Sequence, residues 1–173
     1  MDLPLIDLSS DDFLMGEALR QARRAAAAEE TPIGAVIAYE GRVIARAYNQ
    51  VETLTDATAH AEMLAISQAQ EVLSDWRLTG CVIYVTKEPC PMCAGALVLA
   101  RLDRVVFAAA DPKGGGAGGR FNIVQDPNLN HHASVTAGVR EAESVALLQG
   151  FFRERRALAK ELKQRRRLGD PNQ

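Results

Sequence analysis

The chain has 173 residues, 47% of them hydrophobic, and a formal net charge of −2; that length suits a single domain over residues 1–173 with a substantial buried core. No apolar run approaches the length of a bilayer span, which argues against a membrane protein, and the acidic stretch 1–12 lacks the basic segment that opens a secretory leader. Three cysteines, an odd number, fit a reducing cytoplasm.

In chain order, Asp11 and Asp12 precede an Ala-rich stretch that predicts a helix over 13–29, N-capped by Ser10 or Asp11 and ended by Thr31-Pro32. Residues 33–39 and 42–48 read as two strands joined at Glu40-Gly41, a hairpin turn signal. A loop over 52–59 leads to His60, which opens a helix over 61–73, and Trp76 is expected to pack in the core or at a helix end. After Gly80 the run 81–86 is apolar and β-branched, a buried strand, with Cys81 as a core thiol. Lys87-Glu88-Pro89 breaks that strand. Pro91 then sits where a helix tolerates proline, in the first turn of a helix running through Ala94 to Leu102, with Gly95 as a close-packing point. Residues 105–107 form another strand. The glycine-rich stretch 111–119 is expected to be a mobile loop, and its glycines follow neither a G-x-G-x-x-G nor a Walker pattern, which excludes a phosphate cradle. A short strand at 135–137 and a long helix from Val139 onward complete the chain. The alternation of helices and strands gives an α/β layered sheet, without internal repeat or domain boundary.

The chemistry concentrates in His60-Ala61-Glu62 and Pro89-Cys90-Pro91-Met92-Cys93. One imidazole and two thiolates are three zinc ligands, the number that leaves the fourth tetrahedral position open for water. A structural zinc site would close with a fourth Cys or His, and none is suitably spaced. A redox C-x-x-C pair lacks an upstream partner motif and does not use Pro-Met as its insert. Cys90 and Cys93 stand at i and i+3 on the first turn of one helix, and His60 opens another. Two helix N-termini then converge, and their positive ends favour thiolate over thiol and stabilise a developing oxyanion. Zn²⁺ with this ligand set carries a formal charge near zero and activates water less strongly than an all-histidine site would. Glu62 makes up the difference, as base toward the water and then as acid toward a ring nitrogen and a leaving amine. The implied reaction is hydrolytic deamination of an amino-substituted heteroaromatic ring, and H-x-E…P-C-x-x-C is an established signature of zinc nucleobase deaminases.

Charge is uneven along the chain. Residues 153–167 carry eight Lys/Arg against two Glu, whereas residues 1–152 carry 12 Lys/Arg against 19 Asp/Glu. Such asymmetry suggests a basic arm for an acidic partner. The alternative is a solvated helix with i,i+4 pairs at Glu154 and Glu161. Beside a nucleobase site, phosphate binding is the better reading.

From about residue 13 to 156 the chain resembles the bacterial tRNA-specific adenosine deaminases of the cytidine-deaminase-like superfamily. The matching stretches are Pro32-Ile33-Gly34-Ala35-Val36, Thr58-Ala59-His60-Ala61-Glu62, Glu88-Pro89-Cys90-Pro91-Met92-Cys93-Ala94-Gly95-Ala96, Asn130-His131 and Phe151-Phe152-Arg153-x-Arg155-Arg156. The resemblance implies a three-layer α/β/α fold around a five-stranded mixed sheet and a homodimer with active sites near the interface. It implies one Zn²⁺ per subunit on His60, Cys90 and Cys93, Glu62 as proton shuttle, and Asn49 hydrogen-bonded to the target nucleotide. The substrate it implies is the wobble adenosine of an arginine tRNA, converted to inosine with the anticodon bases splayed into pockets. Expected RNA contacts are Asp111, reading a ribose 2′-OH against the alternative of a loop cap; Lys113, holding a phosphate; Asn130 and His131; Phe151 and Phe152, one facing the core and one stacking on a base; and Arg155 and Arg156. Ala110 departs from the pattern where relatives often carry a basic residue, and the stretch 160–173 of the basic extension 157–173 is more basic than the motif requires. Two other readings stand beside this one: a small-molecule deaminase of the same fold, which has no need of the basic helix, and a non-catalytic zinc-bound RNA module, which has no need of Glu62.

Overall fold

The structure is a computed structural model that describes residues 7–167; the expectations for residues 1–6 and 168–173 lie outside the described residues. Helix α1 (Asp11–Ala27) begins where the Ser10 hydroxyl accepts the Phe13 N–H, with Asp11 and Asp12 in its first turn, where carboxylates meet the positive end of the helix dipole. Strands β1 (Gly34–Tyr39) and β2 (Arg42–Tyr48) are antiparallel, and Glu40 and Gly41 between them both have positive φ, at 49° and 72°. Two such residues give the twist that a two-residue hairpin needs.

Strand β3 (Cys81–Lys87) pairs antiparallel with β1 and parallel with β4 (Arg104–Ala109), and β5 (Ser134–Ala137) joins β4 in parallel. The resulting mixed sheet has the order β2-β1-β3-β4-β5. Side chains alternate across it, as the two-residue period requires. Ala35, Ile37, Ile83, Val85, Val105 and Phe107 point to one face, where they meet α3 (Ala61–Leu73) and α4 (Pro91–Leu99). Val36, Ala38, Tyr84, Val106 and Ala108 point to the other, against Leu14, Met15, Ala18 and Leu19 of α1. Helix α5 (Glu141–Arg167) begins on the α1 side, where the buried Ser144 hydroxyl donates to the Thr86 carbonyl. The three-layer α/β/α expectation is therefore met. Gly34 is required by contact: a Cβ there would lie 2.1 Å from the Ala18 carbonyl oxygen, so only glycine lets β1 enter beneath α1.

Several local expectations change. The stretch read as a loop from 52 opens within a one-turn helix, α2 (Val51–Leu54), ended by Thr55 in the left-handed region. Helix α1 stops at Ala27, and α4 stops at Leu99 rather than Leu102, because Arg101 takes a positive φ of 62° that no helix continues. Gly95 is not a close-packing point, since nothing lies within 4 Å of where its Cβ would stand. Trp76 is 52% exposed just beyond the end of α3, its carbonyl accepting from Gln70 and the Arg77 guanidinium 4.1 Å over its ring, so of the two expectations the helix-end place holds and the core does not. Cys81 is the buried thiol expected, and burial pushes its pKa up to about 11. The stretch 111–119 is not a free loop: Gly115, Gly116 and Ala117 are buried and its amides are hydrogen-bonded to Glu88, Pro89 and Asp111.

Candidate active site

Two loops that leave the same sheet deliver the three candidate metal ligands. His60 is the N-cap residue of α3 and Cys90 that of α4, each with extended backbone and neither side chain capping its own helix. Pro91 follows at the first helical position, where its missing N–H costs nothing. Both side chains are thus turned away from capping and toward each other. His60 Nδ1 lies 3.6 Å from Cys90 Sγ and 3.5 Å from Cys93 Sγ. Tetrahedral zinc with bonds of about 2.0 Å to nitrogen and 2.3 Å to sulfur requires an N···S edge of about 3.5 Å. The donor set and its spacing therefore fit one zinc ion, and this is the one group among the described residues that gathers three such ligands.

The electrostatics sort the side chains into roles. Hydrogen bonds from Cys93 and His60 outweigh burial and hold the Cys90 thiol down at about 3. The same Cys90 contact, with burial, pushes Cys93 up and, through the hydrogen bond to Cys90, raises His60. Glu62, in the first turn of α3, is only 4% exposed, and burial pushes its carboxyl up to about 7 against the lowering effect of His60. A carboxyl near neutrality can both accept and return a proton at working pH.

A cleft of about 200 Å³ opens beside His60, lined also by Glu30, Thr31, Ile33, Asn49, Val51 and Glu52. Asn49 is buried in its wall and its Nδ2 donates to Glu30 Oε2 at 3.1 Å, so Oδ1 is its remaining acceptor. Glu30 is fully buried and also accepts the Thr53 N–H at 2.7 Å and the Glu52 N–H at 3.3 Å, which caps α2. Burial raises its carboxyl, but these hydrogen bonds prevail and leave it below the usual glutamate range.

The remaining sequence-selected residues fall into three places. Asp111 Oδ1 accepts the N–H groups of Lys113 and Gly114, both at 3.1 Å, and Oδ2 pairs with Lys87; the structure thus gives Asp111 the loop-capping role, with Lys113 exposed beside it. Asn130 is exposed and receives Arg101 Nη1 on both its carbonyl and its Oδ1, while His131 Nε2 is 2.6 Å from the Leu102 carbonyl. On α5, Phe151 is half-buried and Phe152 is 44% exposed, their rings edge-to-face at 5.5 Å. Arg155 donates to the Glu29 carbonyl at 2.6 Å with its guanidinium 5.4 Å from the Phe151 ring, and Arg156 is exposed. Arg155 therefore seats α5 on the residue next to Glu30, whose carboxylate holds Asn49. Glu30 is a buried residue outside every motif, and Glu88 opens a matched stretch without a role assigned to it; an acid directly before or near proline in an apolar context (Glu30-Thr31-Pro32, Glu88-Pro89) is the available signal.

A three-ligand site with a poised carboxyl, on a mixed sheet of this order, is the arrangement of the cytidine-deaminase-like class. Within it the chain belongs to the MafB19-like deaminase family, whose family model matches residues 9–156. Over 149 residues it is 50% identical to the tRNA-specific adenosine deaminase of Bacillus subtilis (strain 168), an alignment that covers 86% of this chain and 92% of the relative. A solved structure from work on A-to-I editing by tRNA:A34 deaminases at the wobble position of transfer RNA superposes with a TM-score of 0.75 at 44% identity, covering 78% of this chain and 98% of that one. A guanine deaminase from Nitrosomonas europaea superposes at 0.72 with 28% identity, covering 82% and 84%. The resemblance to the bacterial tRNA-specific adenosine deaminases is borne out, and the chain is a deaminase.

Proposed function

We propose that this deaminase converts the wobble adenosine of a tRNA anticodon loop, that of an arginine tRNA, to inosine with release of ammonia. The observation that carries the chemistry is the placement of Glu62, buried in the first turn of α3, two residues from His60 of the three-membered His60-Cys90-Cys93 group. His60, Cys90 and Cys93 would hold one Zn²⁺ per subunit, and zinc bound there would supply the polarisation that makes water a nucleophile toward C6 of adenine. Glu62 takes a proton from the attacking water and delivers it to the ring nitrogen next to C6. It then passes the second water proton to the departing amine, so that adenosine and water become inosine and ammonia. Asn49, held through its Nδ2 by Glu30, keeps Oδ1 for a donor on the bound nucleotide.

The choice of RNA rests on the identity to tRNA-specific relatives and on the exposed cationic face of α5, where Arg153, Arg156, Lys160 and Lys163 all face solvent. Phe152 is the ring available to stack on an unpaired base. Lys113 beside a phosphate, and Asn130 and His131 along the loop, are the other contacts in this reading, while Asp111, its oxygens engaged by Lys87 and two loop amides, holds the loop that presents Lys113. No described helix is long and apolar enough to cross a membrane; a cytoplasmic homodimer is the assembly proposed.

The likeness to a guanine deaminase defines the competing substrate. Ammonia release should be measured on an arginine-tRNA anticodon stem-loop and on free adenosine, guanine and cytidine at equal concentration. The stem-loop should be the preferred substrate, with inosine at the wobble position; faster turnover of guanine would assign the site to a free base instead.

A further inference from the structure

Glu88 stands between the end of β3 and Cys90 and is 3% exposed. Its carboxylate accepts three main-chain hydrogen bonds from the 111–119 loop: Asp111 N–H on Oε2 at 2.7 Å, and Ala117 N–H at 3.0 Å and Gly119 N–H at 2.8 Å on Oε1. The loop closes around this group so tightly that a Cβ at Gly115 would lie 2.2 Å from Glu88 Cδ, and one at Gly119 2.4 Å from Oε2. Between them, Gly116 N–H donates to the Pro89 carbonyl at 2.7 Å, and a Cβ there would lie 2.7 Å from Ala94 Cβ. The preceding residue, Lys87, pairs with the Asp111 side chain. The glycines of this loop thus answer to what they wrap: a carboxylate and the first turn of the ligand helix.

We propose that Glu88 is a positioning residue, which clamps the 111–119 loop onto the Pro89-Cys90 segment so that the substrate-side loop and the first thiolate ligand form one rigid body. The consequence for turnover rests on the reaction proposed above; the clamp itself does not. A carboxylate suits the task because all three loop groups are donors. Glutamine offers one acceptor oxygen and an NH₂ that is only a donor. In the better orientation of a glutamine at this position, its oxygen would serve Ala117 and Gly119, and the Asp111 N–H would face a donor and be left without an acceptor.

The test uses zinc-loaded full-length protein and residue-resolved amide hydrogen exchange. Glu88→Gln should lower protection at Asp111 by about ten-fold or more, the order expected for one lost hydrogen bond to a carboxylate, with Ala117 and Gly119 largely kept. Glu88→Ala should lower all three. Gly115→Ala should loosen the loop in the wild-type background and add little in Glu88→Ala, since the three atoms nearest the added Cβ are then gone. With the anticodon stem-loop, Glu88→Gln should raise KM about ten-fold while kcat and zinc content hold within about two-fold. Unchanged protection at the three amides overturns the clamp. The expected exchange pattern with an unchanged KM, or with zinc lost, overturns the positioning role. A wild type that exchanges as described but does not turn over the stem-loop sinks the reaction and leaves the clamp standing.

Discussion

Glu62 and Glu30 are both buried carboxyls near one cleft, and their surroundings push them in opposite directions. Burial dominates at Glu62, which rises to about 7, whereas at Glu30 burial is outweighed by hydrogen bonds from Thr53, Glu52 and Asn49, which hold the group ionised. The carboxyl beside His60 is therefore set to exchange protons, and the one in the cleft wall to keep its charge and hold an amide in place. Burial alone does not mark a catalytic acid; what decides is whether the fold supplies N–H donors to the ionised form.

The contrast between the two carboxyls breaks most completely if the metal is removed from the proton-exchanging side. Cys90→Ser should lower zinc from about one per chain to a small fraction and abolish turnover, as read by metal analysis of the purified protein, because an open site with two remaining ligands holds zinc poorly. Full zinc occupancy in that variant would mean the ligand set is wrong. A smaller effect belongs to α5. Replacing Arg153, Arg156, Lys160 and Lys163 with glutamine should spare zinc and melting temperature, because all four are exposed. It should weaken RNA binding and make the plot of log affinity against log salt shallower by about 3, from roughly 0.7 for each phosphate no longer neutralised. An unaltered slope would make the cations a solvated face.

The smallest effect sharpens the Glu30 side. The folded pKa of Glu30 lies below its usual value, so its stabilisation is fully present above the unfolded pKa of about 4.5 and is lost as pH falls through the folded value. Glu30→Gln should therefore cost about 1–3 kcal/mol at pH 7, with a melting temperature lower by about 2–4 °C for each kcal/mol. The gap to the wild type should narrow as the pH drops below about 4.5. A gap independent of pH would assign the loss to packing rather than charge.

The ligand set was legible because its spacing is local: His60 and Glu62 share one turn, and Cys90 and Cys93 share another. The strands were legible from their apolar periodicity, since each face of β1 and β3 meets its own helix layer. What sequence did not reveal is held by partners far along the chain. Glu88 reaches amides 23 to 31 positions away, so the 111–119 stretch reads as flexible from its glycines and is in fact wrapped on a buried carboxylate. Glu30 likewise meets partners 19 to 23 positions on, and α2, four residues long, is too short to show a period. Asp111 was read toward RNA, while its oxygens are taken up by Lys87 and two loop amides that only the folded turn brings together.

The most direct measurement sets Glu62→Gln beside the wild type, with zinc content and single-turnover deamination of the anticodon stem-loop determined on the same preparations. Glutamine keeps the shape of the side chain and removes its ability to carry a proton. The variant should retain about one zinc per chain and lose about 10²–10⁴-fold in rate, the range that general acid–base catalysis supplies. A zinc-loaded Glu62→Gln enzyme turning over within a few-fold of the wild type would contradict the assignment of Glu62 as the proton carrier.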